Sequence, residues 1–598
     1  MFREFLLAKL EERHDIHALA ALRARAASIL EASDHTNEAI VLFRQANDWA
    51  NVSRVVKSHA QSMIETGRWQ TVLDWFKGLP LPVIENDPHL LLWRGEATIP
   101  LSLIDARDSL GRAYDLFAKQ QNDWGHARTV SGMGTLDYSI GRSLTSFDNW
   151  FPKIEELIAR RNATFSLEES IEVWNAYSLL IVARIGKGQF VQNAIEWLSS
   201  RLESHAINSD NSYDDGMAWL MHFRMWLADG AHEPRLIGHF EGLIRREDVP
   251  PFALGGLWRD LGYWYFWNAE YRLCLYYYDH AMEIAKRYNQ LGLVVVCGVY
   301  RAIALSQIGE LKHAQSELDQ IDALVPQRGA ISDMYVKWAS AHVAAKGNDF
   351  QLAVELTENQ SSSLTILEVI NAAHLAIYQV ELGRLDDAMH SIQRSRNLSD
   401  RTIWREVDCL CCSIETEVYL RNGSGEDERR ALIAMLQEAK FPRKTALLTW
   451  VDHWLPRQFA LALQENIEIE TVHQLIRRFN VPADSSANNM WPWPIKIRAF
   501  GDLQLEIDGV PLVGKGKAQH KLLELLRVIV ALGARQVSMD EIAEWLWPDA
   551  EGDVAAGNLR TSLHRLRKLL KHDDAIIQHD NKLSLNRAYP VVSQTHYR

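Results

Sequence analysis

One short pattern recurs through the middle of the chain and limits the folds that the chain can adopt. An apolar residue stands three positions before a small one at four places: Tyr271/Cys274, Leu311/Ala314, Phe350/Ala353 and Leu385/Ala388. The small residues follow one another at intervals of 40, 39 and 35 positions. The segments around them carry apolar residues three and four positions apart, as one face of an α-helix does. The pattern therefore predicts a series of similar helical hairpins.

The residues before each small position resemble the turn of a tetratricopeptide repeat. Two turns read Gly309-Glu-Leu-Lys-His-Ala314 and Gly383-Arg-Leu-Asp-Asp-Ala388, and a third, Gly347-Asn-Asp-Phe-Gln-Leu-Ala353, is one residue longer. The resemblance implies that glycine ends the first helix and that a small residue lets the second approach it closely. Because one hairpin cannot bury its apolar stripe alone, neighbours stack into a right-handed array with a concave binding face. We expect the array to cover most of residues 30–480.

The chain changes character after residue 481. Residues 1–481 have helical periodicity without sustained strand-like alternation, whereas residues 482–489 are polar and residues 491–494 read Trp-Pro-Trp-Pro. Proline favours an extended backbone in the residue before it, so helix formation is interrupted here. We therefore divide the chain into a helical array (1–481), a linker (482–494) and a C-terminal module (495–598).

Charge and cysteine content narrow the function classes. The net charge is −13, which argues against a protein that coats nucleic acid along its whole length, but residues 495–598 carry +2 and residues 1–494 carry −15. The five cysteines have no paired metal-ligand spacing, and we interpret them as buried reduced thiols in a cytoplasmic protein. No run of about 18 apolar residues occurs, and we expect no membrane contact and no export signal.

Two aromatic runs in the array leave two interpretations open. Tyr263-Trp-Tyr-Phe-Trp267 and Tyr276-Tyr-Tyr278 bring eight rings into two short segments. Stacked rings can hold a sugar, a base, a cation or a peptide. At helical spacing, aromatic rings more often fill the groove between packed helices. We favour the packing interpretation and keep the ligand site as the alternative.

The C-terminal module alternates short strands with helices. Ile495, Ile497 and Ala499, and then Leu503, Leu505 and Ile507, have the period of strands, and Asp508-Gly509 predicts a tight turn. Helical periodicity follows over 519–532, 539–547 and 555–570. Residues 575–585 then read as two strands around an Asp-Asn turn. Strands, three helices and a terminal hairpin make a winged helix-turn-helix.

The third of these helices carries the residues that we expect to contact DNA. Leu559, Leu563, Leu566 and Leu570 form one apolar stripe, while residues 558–571 contain five cations and no acid. The predicted contacts are Thr561, His564 and Lys568, which are central on the face opposite this stripe, and Arg560, Arg565, Arg567 and Lys571, which flank them. Arginine can bond guanine in the major groove and other cations can neutralise phosphates. The alternative is an ordinary solvated helix face, although such faces usually include acids.

Four further lysines are secondary predictions. Lys582 in the terminal hairpin is placed to reach the minor groove or its phosphates, and Lys515, Lys517 and Lys521 near the first helix are placed to hold the DNA backbone. The acidic segment 549–553 between the second and third helices would be repelled by phosphate.

The C-terminal motifs together resemble the DNA-binding domain of bacterial regulators of the OmpR-like, SARP type. They are Phe500-Gly501, Asp508-Gly509, Lys517-Ala-Gln519, Leu532-Gly533, Leu546-Trp-Pro-Asp-Ala550 and Leu563-His-Arg-Leu-Arg-Lys-Leu-Leu570. The preceding array is similar to the sensor region of MalT-like STAND regulators, and residues 2–6 resemble the segment after their nucleotide-binding module. The first resemblance implies that the acidic segment 549–553 faces RNA polymerase. The second implies an NTPase module upstream of the matched region. Because the chain begins at that junction, we expect this module to be absent, either through natural truncation or because the gene start was placed late, and we carry over no ATP-gated switching.

The sequence contains no motif for nucleotide hydrolysis or other catalysis. Walker A, GxGxxG, HExxH and GxSxG are all missing, and the histidines show no metal-ligand spacing. We therefore expect no enzyme activity, cofactor or metal.

The expected fold class is mainly α, a tetratricopeptide-like solenoid followed by a small α+β winged helix-turn-helix domain. The favoured function is a transcriptional regulator that binds double-stranded DNA while its array senses a protein or small-molecule effector. The alternative is a repeat-based scaffold whose winged helix binds protein.

Overall fold

The structure, a computed structural model, describes most of the chain outside residues 141–232. The described residues are 12–65, 68–99, 101–140, 233–246, 251–288, 290–326, 330–358, 365–398, 405–440, 442–484, 490–498, 503–512, 517–572, 575–586 and 591–592, with isolated positions 9, 152, 153, 156, 157, 159, 196, 249 and 486. They divide into two compact units, one of residues 1–431 and 441–450 and the other of residues 432–440 and 451–598.

The first unit is built from α-helices. Those before the undescribed segment are α1 (Ile16–Ala32), α2 (Thr36–Gln45), α3 (Trp49–Glu65), α4 (Trp69–Phe76), α5 (Leu81–Glu85), α6 (Pro88–Thr98), α7 (Leu103–Lys119) and α8 (Asp123–Ile140). Successive helices pack on one another, α1 on α2, α6 on α7 and α7 on α8. Their shared core includes Ile40, Phe43, Trp93 and Phe117, all of which are fully or almost fully buried.

The helices after the undescribed segment include the four predicted hairpins. They are α9 (Glu233–Leu243), α10 (Pro251–Phe266), α11 (Tyr271–Arg287), α12 (Leu291–Gln307), α13 (Leu311–Leu324), α14 (Ala330–Lys346), α15 (Phe350–Glu358), α16 (Thr365–Glu381), α17 (Leu385–Leu398), α18 (Arg405–Asn422) and α19 (Gly425–Glu438), followed by a 3-10 helix (Pro442–Val451). The second helices α11, α13, α15 and α17 each begin at the apolar residue of the repeated pattern. Each small residue three positions later is completely buried.

Each turn between the paired helices places one residue in the left-handed region two positions before the second helix. Glycine occupies that position in two turns, with φ of 85° at Gly309 and 76° at Gly383, while Asn348 (66°) and Ala269 (60°) occupy it in the others. In every case the next N–H bonds a carbonyl five residues back, as Arg384 does to Gln379 at 2.8 Å. The segment from Gly347 to Ala353 is one residue longer than the other two because Asn348, and not Gly347, is the left-handed residue of this turn.

The hairpins also pack against their neighbours. Besides the four pairs, α11 contacts α12, α12 contacts α14, α15 contacts α16, and α16 contacts α18. Each apolar stripe is thereby buried partly within its hairpin and partly against the next one. The helical repeat array is therefore confirmed. All five cysteines are buried free thiols, as predicted.

The second unit contains the last part of α19, two further helices and a small α+β region. Helices α20 (Leu455–Gln464) and α21 (Ile469–Phe479) come first. They are followed by β1 (Ile495–Arg498), β2 (Gln504–Ile507), β3 (Val510–Pro511), α22 (Lys517–Ala531), β4 (Val537–Ser538), α23 (Met539–Leu546), α24 (Gly552–Leu570), β5 (Ile576–His579), β6 (Lys582–Leu585) and β7 (Val591–Val592). The predicted boundary at residues 482–494 stays a prediction, and the compact unit itself also includes α20 and α21.

Two small sheets share one hydrophobic core with the three C-terminal helices. One has the strand order β3-β2-β1-β7, with β7 parallel to β1, and the other has the order β4-β6-β5 and is antiparallel. Alternate residues Ile495 and Ile497 on β1, and Leu505 and Ile507 on β2, enter one core with the leucines of α24. The predicted fold class, a mainly α chain with a helical array and a small α+β region, is confirmed.

Candidate nucleic-acid interface

Helix α24 presents its cations to solvent because its leucines anchor the opposite side. Leu559, Leu563, Leu566 and Leu570 are all buried, together with Ala555 one turn earlier. They pack in the core that also contains residues of α22, α23 and both sheets. The helix therefore cannot roll about its axis without exposing this stripe, and its polar face is fixed in orientation.

Five of the predicted DNA contacts lie exposed on that polar face. They are Arg560, Thr561, His564, Arg565 and Lys568. The Thr561 hydroxyl donates to the Gly557 carbonyl at 3.0 Å, which leaves its oxygen lone pairs for an external donor. Within the described part of the chain, Arg560, Arg565 and Lys568 make no ion pair. These cations are available to an anionic partner.

Arg567 is placed differently from the other cations. Its side chain is half-buried, and its Nε and Nη2 atoms donate to the Ile576 carbonyl at 3.2 and 2.8 Å. Because Ile576 begins β5, this guanidinium joins α24 to the terminal hairpin. Arg567 thus holds the hairpin with two of its five N–H donors, which are directed away from the exposed face.

Lys571 ends the helix in the left-handed conformation, with φ of 60°, and its side chain is exposed. Its N–H bonds the Lys568 carbonyl at 3.3 Å. A cation is favourable beside the negative end of a helix dipole. Lys571 therefore extends the basic surface past the last turn of α24.

The turn of the terminal hairpin, which joins β5 and β6, attaches this hairpin to α23. Asp580 and Asn581 both have positive φ, 45° and 60°, as a two-residue hairpin turn requires. The Asn581 Nδ2 atom donates to the Asp540 carboxylate at 3.0 Å, and the Met539 N–H donates to the Asn581 carbonyl at 2.9 Å. These bonds fix the hairpin to the start of α23. Lys582 follows the turn and is exposed.

Of the three lysines predicted to hold the DNA backbone near the first helix of the module, the structure describes the side chain of one. Lys521 on α22 is exposed, and its ammonium lies 5.1 Å from the ring centroid of Trp547, a cation–π contact. Lys515 and the side chain of Lys517 lie outside the described residues. The acids Asp549, Glu551 and Asp553, before and within the first turn of α24, are exposed.

Trp545 was missed by the sequence reasoning. It lies on α23 with 68% of its surface exposed, while Ile542 and Ala543 on the same helix are buried. The helical period could have identified it, because residue 545 falls off the buried stripe. The bond between Asn581 and Asp540 was also missed, since it joins residues 41 positions apart.

The aromatic runs of the array are largely packed between helices. Tyr300 of α12 lies 4.8 Å from Phe266, 5.3 Å from Tyr263 and 5.9 Å from Tyr278, measured between ring centroids. Tyr265 stacks on Tyr277 at 5.0 Å. Most of these rings therefore join α10, α11 and α12, as the packing interpretation expects. Tyr276 is the exception in this group, with 52% of its surface exposed.

Among the described residues, no group of three or more His, Cys, Asp or Glu side chains is placed to hold a metal ion. No described helix has the length and apolar character that crossing a bilayer requires.

Comparisons with known proteins give remote structural likenesses. A Rap protein complexed with Competence and Sporulation Factor is 14% identical, with a TM-score of 0.41, and the match covers 59% of this chain and 98% of that one. The APC/C hetero-tetramer Cut9-Hcn1 is 11% identical with a TM-score of 0.40, covering 90% and 95%. Yeast Tom70 is 12% identical with a TM-score of 0.30, covering 74% and 96%. No family model and no curated protein sequence matches the chain.

Proposed function

We propose that the chain is a DNA-binding transcriptional regulator in which the C-terminal α+β region is a winged-helix module and the helical array binds a partner. The observation that supports this most is the polar face of α24. It carries Arg560, Arg565 and Lys568 exposed and without ion pairs in the described part of the chain, on a helix whose roll is fixed by four buried leucines. An acid-free cationic helix of this kind fits the major groove of DNA.

The exposed residues divide into two roles. Arg565, Thr561 and His564 have donors or acceptors that can meet base edges in the groove, whereas Arg560, Lys568 and Lys571 are suited to phosphates. The hairpin brings Lys582 as a second phosphate or minor-groove contact. Arg567 and Asn581 position this hairpin without touching DNA themselves.

The second candidate function is a protein-interaction scaffold in which the C-terminal region binds protein. The stacked hairpins favour it, since arrays of this kind present an extended surface. The exposed Trp545 also favours it, because an indole outside the basic face is suited to a protein contact. RNA polymerase is our proposed partner for the exposed acidic segment 549–553. In either case we propose that the chain is not an enzyme.

The two candidates are separated by DNA binding of the full chain. We expect binding to duplex DNA that weakens steeply with salt, because cation–phosphate contacts release counterions. The double variant Arg565→Glu/Lys568→Glu should weaken it about 100-fold or more, since each lost contact is worth about 1–3 kcal/mol. Fluorescence anisotropy with labelled DNA selected from a random pool measures both effects.

The matched control is Lys312→Glu/Arg394→Glu on exposed positions of the array. It changes the net charge by the same amount and should leave DNA affinity nearly unchanged. Equal losses of DNA affinity in both double variants would show that the loss follows the net charge of the chain and not the position of Arg565 and Lys568. A wild-type chain that binds no duplex at low salt would remove the DNA proposal and leave the scaffold.

A further inference from the structure

The 3-10 helix near the end of the array interrupts the second unit. Residues 441–450 group with the first unit, although residues 432–440 and 451–598 on either side group with the second. We call residues 442–450 the arm. The 3-10 helix that contains it is ten residues long. Runs of 3-10 helix longer than three or four residues are uncommon because their hydrogen bonds are poorly aligned. The arm therefore owes its position to its contacts with the array.

One indole makes most of these contacts. Ring centroids place Trp450 of the arm 4.2 Å from His374 on α16, 5.3 Å from His342 and 6.2 Å from Trp338 on α14, and 6.3 Å from Trp267 after α10. The neighbouring Thr449 hydroxyl lies 2.7 Å from the Tyr271 hydroxyl. A single side chain thus contacts residues of three of the four hairpins, namely α10/α11, α14/α15 and α16/α17. We call the surface formed by Trp267, Trp338, His342 and His374 the arm site, and Tyr378 on α16 adjoins it, with its ring centroid 6.1 Å from that of His374.

The arm leaves polar groups of this surface unsatisfied. Trp338 Nε1 donates to His374 Nδ1 at 3.0 Å, so the proton of the neutral imidazole is on Nε2. His374 Nε2 is buried, as are Trp267 Nε1 and the Tyr378 hydroxyl, and none of the three has a hydrogen-bond partner among the described residues. Buried donors are nearly always paired in native proteins. The arm therefore fills the apolar part of the arm site without matching its donors.

We propose that the arm site is a peptide-binding site that the chain occupies with its own arm. The partner is a peptide whose aromatic ring takes the position of Trp450 and whose carboxylate oxygens accept from the unmatched donors. This inference rests on the proposed partner-binding role of the array. Binding of the partner displaces the arm, and the chain at both ends of the arm belongs to the second unit.

The full chain with Trp450→Ala tests the proposal, because it removes the ring that holds the arm. The probe is a fluorescein-labelled peptide of residues 442–450, Pro-Arg-Lys-Thr-Ala-Leu-Leu-Thr-Trp, ending in a free carboxylate. We expect the variant to bind it at least about tenfold more tightly than the wild type does, since the tethered arm competes at an effective concentration near millimolar. The same peptide with Ala in place of its tryptophan should bind neither chain.

Trp75→Ala is the matched control for destabilisation. Trp75 on α4 is an equally buried indole, 3% exposed against 4% for Trp450, and it makes no ring contact with the arm. This control should behave as the wild type. Equal binding by all three chains, or loss of the helical far-UV signal in the Trp450→Ala chain, would overturn the proposal and make the arm a part of the core.

An amidated form of the peptide tests the donors. We expect it to bind the Trp450→Ala chain more weakly than the free carboxylate does, and the difference should shrink when Tyr378→Phe is added. Equal affinity of the two peptides would refute the assigned acceptor chemistry. These measurements contain no DNA, so their failure leaves the DNA result standing, and failure of DNA binding does not affect them.

Discussion

The array and the C-terminal module use charged side chains in opposite ways. In the array, Arg396 lies between Glu415 and Asp408, and all three side chains are at most 17% exposed. Arg128 likewise bonds the largely buried Glu96 at 2.9 Å. In the module, Arg565 is exposed and unpaired in the described part of α24. The same residue type therefore fastens helices in one region and is left available for a partner in the other.

The difference follows from the surroundings of each guanidinium. Burial alone would lower the pKa of Arg396, but the hydrogen bond and charge of Glu415 outweigh burial and raise that pKa above its ordinary value. Removing one partner of such a pair leaves the other charge in a poorly solvated place. An exposed arginine keeps its hydration until a partner arrives, so the folded chain does not depend on it.

The largest test of this contrast is Arg396→Ala in the array. We expect a loss of about 3 kcal/mol in the free energy of unfolding, because Glu415 and Asp408 remain largely buried without their cation. Arg565→Ala should change the same quantity by less than about 0.5 kcal/mol. Urea unfolding followed by far-UV circular dichroism measures both. Arg394→Ala, two positions away on the exposed side of α17, is the control, and a loss in it equal to that of Arg396→Ala would contradict our interpretation.

The second test concerns a polar group that the array buries uncharged. Burial lowers the pKa of His374 to about 3, and burial, His374 and Lys346 hold the pKa of His342 well below its ordinary value. A folded pKa below the unfolded one means that the unfolded chain binds the proton more strongly. Stability is therefore lost as pH falls below about 6.5, and His374 alone should cost about 2 kcal/mol between pH 8 and pH 5.

His374→Asn isolates this contribution, since the amide oxygen can still accept from Trp338. The variant should lose less stability than the wild type over the same pH interval, by about 2 kcal/mol. The exposed His390→Asn is its control. Identical pH dependence in the wild type and His374→Asn would show that burial does not lower the pKa of His374.

Local patterns in the sequence predicted the repeats well, whereas contacts between residues far apart in the chain could not be predicted. Tyr271, Leu311, Phe350 and Leu385 begin second helices because period and turn residues are properties of neighbouring positions. The pattern could not decide between Gly347 and Asn348 for the left-handed position, since both residue types tolerate it. The sequence pattern did not separate the arm from the rest of the array, because the contacts of Trp450 reach a residue 183 positions earlier.

The candidate nucleic-acid interface shows the same difference between local patterns, which the sequence predicts, and long-range contacts, which it does not. The helical period alone placed Thr561, His564, Arg565 and Lys568 on the exposed face of α24. Arg567 lies at the edge of the buried stripe, where the period does not decide between solvent and a neighbour. Its acceptor, the Ile576 carbonyl, comes beside it only when the terminal hairpin folds onto the helix. A backbone acceptor carries no residue-type signal, so the sequence grouped Arg567 with the DNA contacts.

Arg567 gives the smallest expected effect and the most selective test. It belongs to the module, but it is hydrogen-bonded within the fold as the arginines of the array are. Arg567→Lys keeps the charge but cannot make both bonds to the Ile576 carbonyl, so we expect a loss of about 1 kcal/mol in stability. Hydrogen exchange should accelerate in β5 and β6, while exchange in Arg565→Ala stays as in the wild type. DNA affinity should fall more in Arg565→Ala than in Arg567→Lys. The reverse order of affinities, with unchanged exchange in β5 and β6, would make Arg567 a DNA contact and end the distinction drawn here.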